Sequence, residues 1–151
     1  MKKEKTNSSK DKSKKNVNTV KNKDSVWQIR IPSIGLKAPI SEGTSQDVMY
    51  EYVGHFEETS KWKGNIGLAA HNRGYPINYF ARLKELKKND KIIYKTKNGI
   101  KEYRVNLIKI IEETDWSYLE ETKDDRITLI TCVEDRPTKR LCIQGNLIKK
   151  Q

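Results

Sequence analysis

A chain of 151 residues is long enough for one domain with a real core, and 34% charged against 34% hydrophobic residues is polar without excluding one. The net charge of +11 is uneven: residues 1–25 hold nine lysines against three acids, and residues 26–151 hold 22 basic residues against 17 acids. No apolar run approaches the ~20 residues of a membrane span and no signal-peptide core follows the first lysines, so either the protein is soluble or its anchor lies outside this chain.

Residues 1–25 are mostly Lys, Asn, Ser and Thr, too poor in apolar side chains to order themselves. They read as a disordered basic tail or linker; a nucleic-acid arm or a juxtamembrane segment has the same composition. From residue 26 the pattern changes, and residues 26–151 form the domain. Residues 26–31 alternate as a half-buried strand does, Pro32-Ser33-Ile34-Gly35 turns the chain, and residues 36–40 predict a short strand broken by Pro39. Ser45 caps one or two helical turns over residues 46–52, a strand follows over 53–57, and residues 59–64 are a loop carrying Trp62. Residues 66–71 are an apolar run too short for a typical helix, hence a buried strand closing on His71.

After a loop over 72–76, Tyr79, Leu83 and Leu86 have the spacing of one face of a helix over 78–86, which Asn89-Asp90 stops. Asn98-Gly99 between alternating runs at 91–96 and 101–108 predicts a β-hairpin whose second strand reaches towards Ile111. A short helix over 115–119 precedes a strand over 127–132, a polar loop over 133–139 and a last strand over 140–148. Seven or eight short strands with few helical turns predict a mainly β fold, a closed or nearly closed β-barrel rather than βαβ layers.

The strand Ile127-Thr128-Leu129-Ile130-Thr131-Cys132 ends on a thiol, and a thiol at the open end of a strand with a cation nearby is a candidate nucleophile. It needs a base, and the chain offers only His55 and His71. His71 closes an apolar run as Cys132 does; His55 lies beside Gly54 and Phe56 with no thiol or cation near in sequence and is read as structural. Arg140 opens the next run, with Arg136 as its rival inside the loop. An ordinary cysteine has a pKa of ~8.5, so an imidazole and a guanidinium beside it are needed to favour the thiolate. Plainer readings stand beside these: Cys132 as a buried core thiol or in a disulfide with Cys142, His71 as a hydrogen-bonded strand end, Arg140 as one more exposed charge. Neither histidine has a Cys or His partner at metal-ligand spacing, so neither a metal nor another cofactor is expected.

Thr128-Leu129-Ile130-Thr131-Cys132, with Arg140 downstream and Gly64-Asn65-Ile66-Gly67-Leu68-Ala69-Ala70-His71 upstream, resembles the sortases, cysteine transpeptidases of Gram-positive surfaces. The likeness runs from about Trp27 to Leu147, and includes Ile31-Pro32-Ser33-Ile34-Gly35 and the passage from Phe80 through Leu83, Leu86 and Asp90 to Ile92. It implies an eight-stranded barrel with His71, Cys132 and Arg140 as catalytic residues on one groove, and Thr131, Asn72 and Tyr75 as substrate contacts. Tyr75, Trp62 and Trp116 are otherwise packing or groove-wall residues. Ala70 stands where the family often has glycine, and Asn72 where arginine is common. No Asp-Pro-aromatic lid motif precedes the first strand, which argues against the pilin-polymerising branch and leaves class B-like and class D-like enzymes, the latter favoured.

The implied substrate is a surface-protein sorting signal of the Leu-Pro-x-Thr-Gly type. It is cut after threonine and joined to an amine of the peptidoglycan precursor at the extracellular face of a Gram-positive membrane. On this reading nucleic acid is no partner, and the membrane is reached only through an anchor outside this chain. Two other functions stay open: a basic β-barrel that binds nucleic acid, and a hydrolytic cysteine protease in which water replaces the amine. Against the first, the tail lysines are not interleaved with aromatic residues.

Overall fold

The alternating runs send every second side chain into one interior, where Ile29, Ile31, Ile66, Leu68, Ile92, Tyr94, Tyr103, Ile127, Leu129 and Ile143 are each 0% exposed. Burying an aliphatic side chain of this size contributes about 2 kcal/mol. In the computed structural model, which describes residues 26–150, these runs are β1 (Gln28–Ile31), β2 (Leu36–Glu42), β3 (Val53–His55), β4 (Asn65–Ala69), β5 (Lys91–Thr96), β6 (Gly99–Glu112), β7 (Arg126–Val133) and β8 (Arg136–Lys150). They close into a barrel in the order β1-β2-β3-β4-β7-β8-β6-β5, the mainly β architecture expected. The tail reading of residues 1–25 lies outside the described residues.

The local expectations are met in part. Ser45 caps helix α1 (Gln46–Met49), its hydroxyl accepting from Val48 N at 3.2 Å. The predicted hairpin is β5–β6, with its turn on Lys97 and Asn98 and with Gly99, at φ 137°, already paired to Thr96. Strand β2 is not broken at Pro39 but runs on to Glu42. Ile40 N donates to the carbonyl of Trp27, the residue just before β1, so the Pro39 nitrogen faces the other edge, where pairing with β3 begins only at Ile40. The missing N–H there removes no ladder bond.

The helix expected over 78–86 is instead a run of tight turns ending in a 3-10 helix at Leu83–Glu85. Leu83 N bonds Phe80 O and Leu86 N bonds Leu83 O, so it is Phe80, Leu83 and Leu86, three apart, that are buried together. A spacing of three satisfies a 3-10 turn as well as one helical face. The polar loop expected over 133–139 is also mostly strand. The chain reverses at Glu134-Asp135, with Asp135 at φ 62°, and β8 starts at Arg136.

Candidate active site

Strand register brings three distant residues together. Strands β4 and β7 pair in parallel with Ala69 opposite Ile130, so two residues on, His71 and Cys132 leave the ends of neighbouring strands. Strands β7 and β8 pair antiparallel with Cys132 opposite Arg140. Leu68 and Leu129 point inward, so by alternation His71, Cys132 and Arg140 share the outer face. All three line one cleft of about 440 Å³, whose walls include Tyr75, Phe56, Trp116 and Glu113.

A segment between β6 and β7 builds the far wall. Asp115 caps the 3-10 helix Trp116–Leu119, accepting from Ser117 N at 3.1 Å. A polar network clamps this helix onto the barrel: Asn65 Nδ2 donates to Tyr118 O and Glu120 O, each at 2.9 Å, and Thr128 Oγ1 donates to Asn65 Oδ1 at 2.7 Å. Gln144 Nε2 donates to Thr128 Oγ1 at 3.1 Å. Gly67 makes the close approach possible, because a Cβ there would lie 2.7 Å from Leu119 Cδ2.

His71 is half-buried, and its ring stacks on Tyr75 at 3.6 Å between centroids and 8° between planes. Its Nε2 is shielded and holds no hydrogen-bond partner among the described residues. Its carbonyl accepts from Phe80 N at 3.0 Å, which ties the strand end to the tight turns. Burial holds the imidazole below its ordinary value of 6.5, favouring the neutral ring. Folding therefore gains from this group above about pH 6.5 and loses that gain as pH falls through the lowered value. A ring titration followed by NMR is expected to give a His71 midpoint below 6.5, moving up in Tyr75→Ala as the ring opens to water. A wild-type midpoint at or above 6.5 contradicts this.

Cys132 is an exposed free thiol; Cys142 is also free but fully buried, so the disulfide alternative is not formed. Burial, with Asp115 adding to it, pushes the Cys142 thiol up to about 12, which makes it inert at neutral pH. Arg140 is half-buried. Its Nη1 donates to Pro137 O at 3.0 Å and Lys139 O at 2.8 Å, and its Nη2 meets Glu113 Oε1 at 3.2 Å.

The three expected substrate contacts fall differently. Asn72 donates from Nδ2 to Cys132 O at 2.8 Å, and Tyr75 covers His71 while its hydroxyl accepts from Gln46 Nε2 at 3.3 Å. Thr131 is only 4% exposed, and its hydroxyl donates to Ala70 O at 2.8 Å. It therefore pins the end of β7 to the end of β4. Thr131→Val is expected to cost about 1–3 kcal/mol, because Ala70 O loses a buried partner; denaturant unfolding measures it, and an unchanged midpoint refutes it.

His55 is 0% exposed, with Nδ1 2.8 Å from Glu42 Oε1 and Nε2 2.8 Å from Ser60 O, consistent with its structural reading. Glu113 and the Asn65–Thr128–Gln144 network were not anticipated. Glu113 follows a long strand with no periodic signal of its own, and polar residues on a covered outer face look solvent-exposed in a linear pattern.

Fold and cleft define the class: a closed β-barrel with a thiol, an imidazole and a guanidinium at one rim. The chain belongs to the sortase family, residues 29–148 matching the Sortase domain. It is 34% identical over 130 residues to Sortase A of Listeria monocytogenes, covering 83% of this chain and 58% of that protein. It is 30% identical over 128 residues to Sortase A of Bacillus anthracis, covering 83% and 61%. The chain thus spans about six-tenths of the length of these curated relatives. A solved pilus-related Sortase C of Group B Streptococcus superposes with a TM-score of 0.77 at 32% identity, covering 82% of this chain and 67% of that one. Matches to proteins named sortase A and sortase C define the family and not a class within it.

Proposed function

We propose that this protein is a cysteine transpeptidase that cleaves a Leu-Pro-x-Thr-Gly-like sorting signal after threonine and transfers the acyl group to a cell-wall amine. The observation that carries it is the convergence of His71, Cys132 and Arg140 on one cleft. Neutral His71 takes the proton of the Cys132 thiol, the thiolate attacks the threonine carbonyl carbon, and the electron pair moves onto oxygen to give a tetrahedral oxyanion. Arg140 donates to that oxygen or to the peptide backbone beside it. Collapse breaks the C–N bond, His71 as imidazolium gives its proton to the departing amine, and a thioester on Cys132 remains. An amine then attacks the thioester while neutral His71 takes its proton, releasing the new amide and the Cys132 thiolate, which takes that proton back from His71.

Tyr75 and Asn72 border the path of the peptide, and Thr131 serves as a positioning residue through Ala70. The working place is the extracellular face of a Gram-positive membrane, and a class D-like enzyme is the preferred subdivision. Mass spectrometry of the protein with a small library of sorting peptides tests this reading. The expected result is an acyl adduct on Cys132 from a Leu-Pro-x-Thr-Gly-type member, resolved to an amide product when an amine is added. Adduct formation followed only by hydrolysis, with or without amine, would favour a protease instead.

A further inference from the structure

The pole of the barrel opposite Cys132 carries a second cleft, of about 340 Å³, lined by Lys63, Lys101, Lys123 and Lys150 with Trp62, Glu121 and Asp125 among its other walls. Its placement follows from the long strands. Along β6, Lys101 lies ten residues before Ile111, which pairs with Arg140, and along β8, Arg140 lies ten residues before Lys150, which pairs with Lys101. Ten residues of strand put roughly 30 Å between the two clefts.

Charge in this cleft is unbalanced. Lys101 and Lys150 sit directly opposite each other in register, an arrangement that like charges oppose. The Lys101 side chain is only 1% exposed, its ammonium 4.3 Å from the Trp62 ring centroid and 3.7 Å from Asp125 Oδ2. It also donates to Trp62 O. Burial lowers the Lys101 ammonium, Asp125 opposes that, and Lys150 and Lys63 add to it by repulsion. Asp125 is already engaged, its Oδ1 accepting from Gly64 N at 2.7 Å. Four ammonium groups thus face two carboxylates, while Lys63, Lys123 and Lys150 are exposed and able to turn towards a ligand.

The same pole receives the start of the described chain. Trp27 Nε1 donates to Tyr94 OH at 2.9 Å, and Tyr94 OH donates to Lys61 O at 2.7 Å. The described chain therefore begins beside Lys61-Trp62-Lys63. An anion held between Lys63, Lys123 and Lys150 relieves the repulsion on Lys101.

We propose that this lysine-lined cleft, at the pole opposite Cys132, is a phosphate-binding site separate from the catalytic cleft. The ligand chemistry is a phosphate group, carried by a lipid headgroup or free in solution.

The test uses the full chain and a triple variant, Lys63→Gln, Lys123→Gln and Lys150→Gln. A charge-matched control carries Lys87→Gln, Lys88→Gln and Lys91→Gln, three exposed lysines outside the cleft. Inorganic phosphate is titrated against the NMR signals of the Trp62 indole and the Gly64 amide, and retention is measured on phosphatidylglycerol–phosphatidylcholine vesicles. Saturable shifts with inorganic phosphate support a free-phosphate site; vesicle retention without such shifts supports a headgroup site. In either arm the cleft variant is expected to bind more weakly by roughly a hundredfold on vesicles and at least about tenfold for phosphate, with the control changing less than about threefold. Absence of binding in both arms, or equal loss in cleft variant and control, overturns the proposal. These readouts need no turnover, so their failure is separate from any failure of the transpeptidase reading.

Discussion

Cys132→Ala is expected to abolish cleavage of a Leu-Pro-x-Thr-Gly peptide, a loss on the order of 10⁴-fold or more in kcat/KM, with the fold intact. The large effect follows from covalent chemistry: without sulfur there is no thioester, and His71 and Arg140 alone supply only positioning and charge. The small structural effect follows from exposure. Cys132 stands on the outer face at the rim of the cleft, where such a change usually shifts stability by less than about 0.5 kcal/mol. Peptide cleavage followed by chromatography, alongside thermal unfolding, separates the two. Turnover near the wild-type rate would remove Cys132 from the reaction; Cys142, buried and held protonated, offers no substitute.

Arg140→Lys is the second large effect, expected to lower kcat by roughly 10²–10³-fold although the charge is kept. The guanidinium spans several acceptors at once: Pro137 O and Lys139 O through Nη1, and Glu113 Oε1 through Nη2. Those contacts hold the plane of the fork while its remaining N–H groups stay available to a substrate oxygen. A lysine ammonium donates from a single atom and cannot hold the turn, pair Glu113 and meet an oxyanion together. Steady-state kinetics of the variant decide the matter. A near-normal kcat with only KM raised would make Arg140 a binding group rather than a stabiliser of the oxyanion.

The two threonines of the Thr128-Leu129-Ile130-Thr131-Cys132 stretch show how far a linear reading reaches. Alternation assigns Leu129 and Ile127 to the interior, and both are fully buried. It says nothing of what the threonines do. Thr128 faces outward yet is buried under the Trp116–Leu119 helix, bonded to Asn65; Thr131 faces inward and bonds Ala70 O. Both partners lie more than 60 residues away in sequence. The misreading of residues 78–86 as helix has a related cause. Apolar residues at positions 79, 80, 83 and 86 fit both an α-helical face and a 3-10 turn until neighbouring elements decide which of them to cover.

What the amino-acid sequence determined by itself was local: strand periodicity, the Asn98-Gly99 hairpin, the Ser45 cap, and a thiol and an imidazole each closing an apolar run. These depend on interactions within a few residues, so they are written in the order of the chain. Tertiary structure decided what sits opposite what. The parallel register of β4 on β7 and the tight turn into β8 set His71, Cys132 and Arg140 on one face, and closure of the barrel gathered four lysines at the other pole. Register and closure arise from burying one shared interior, a condition imposed by the whole chain at once and carried by no short segment of it.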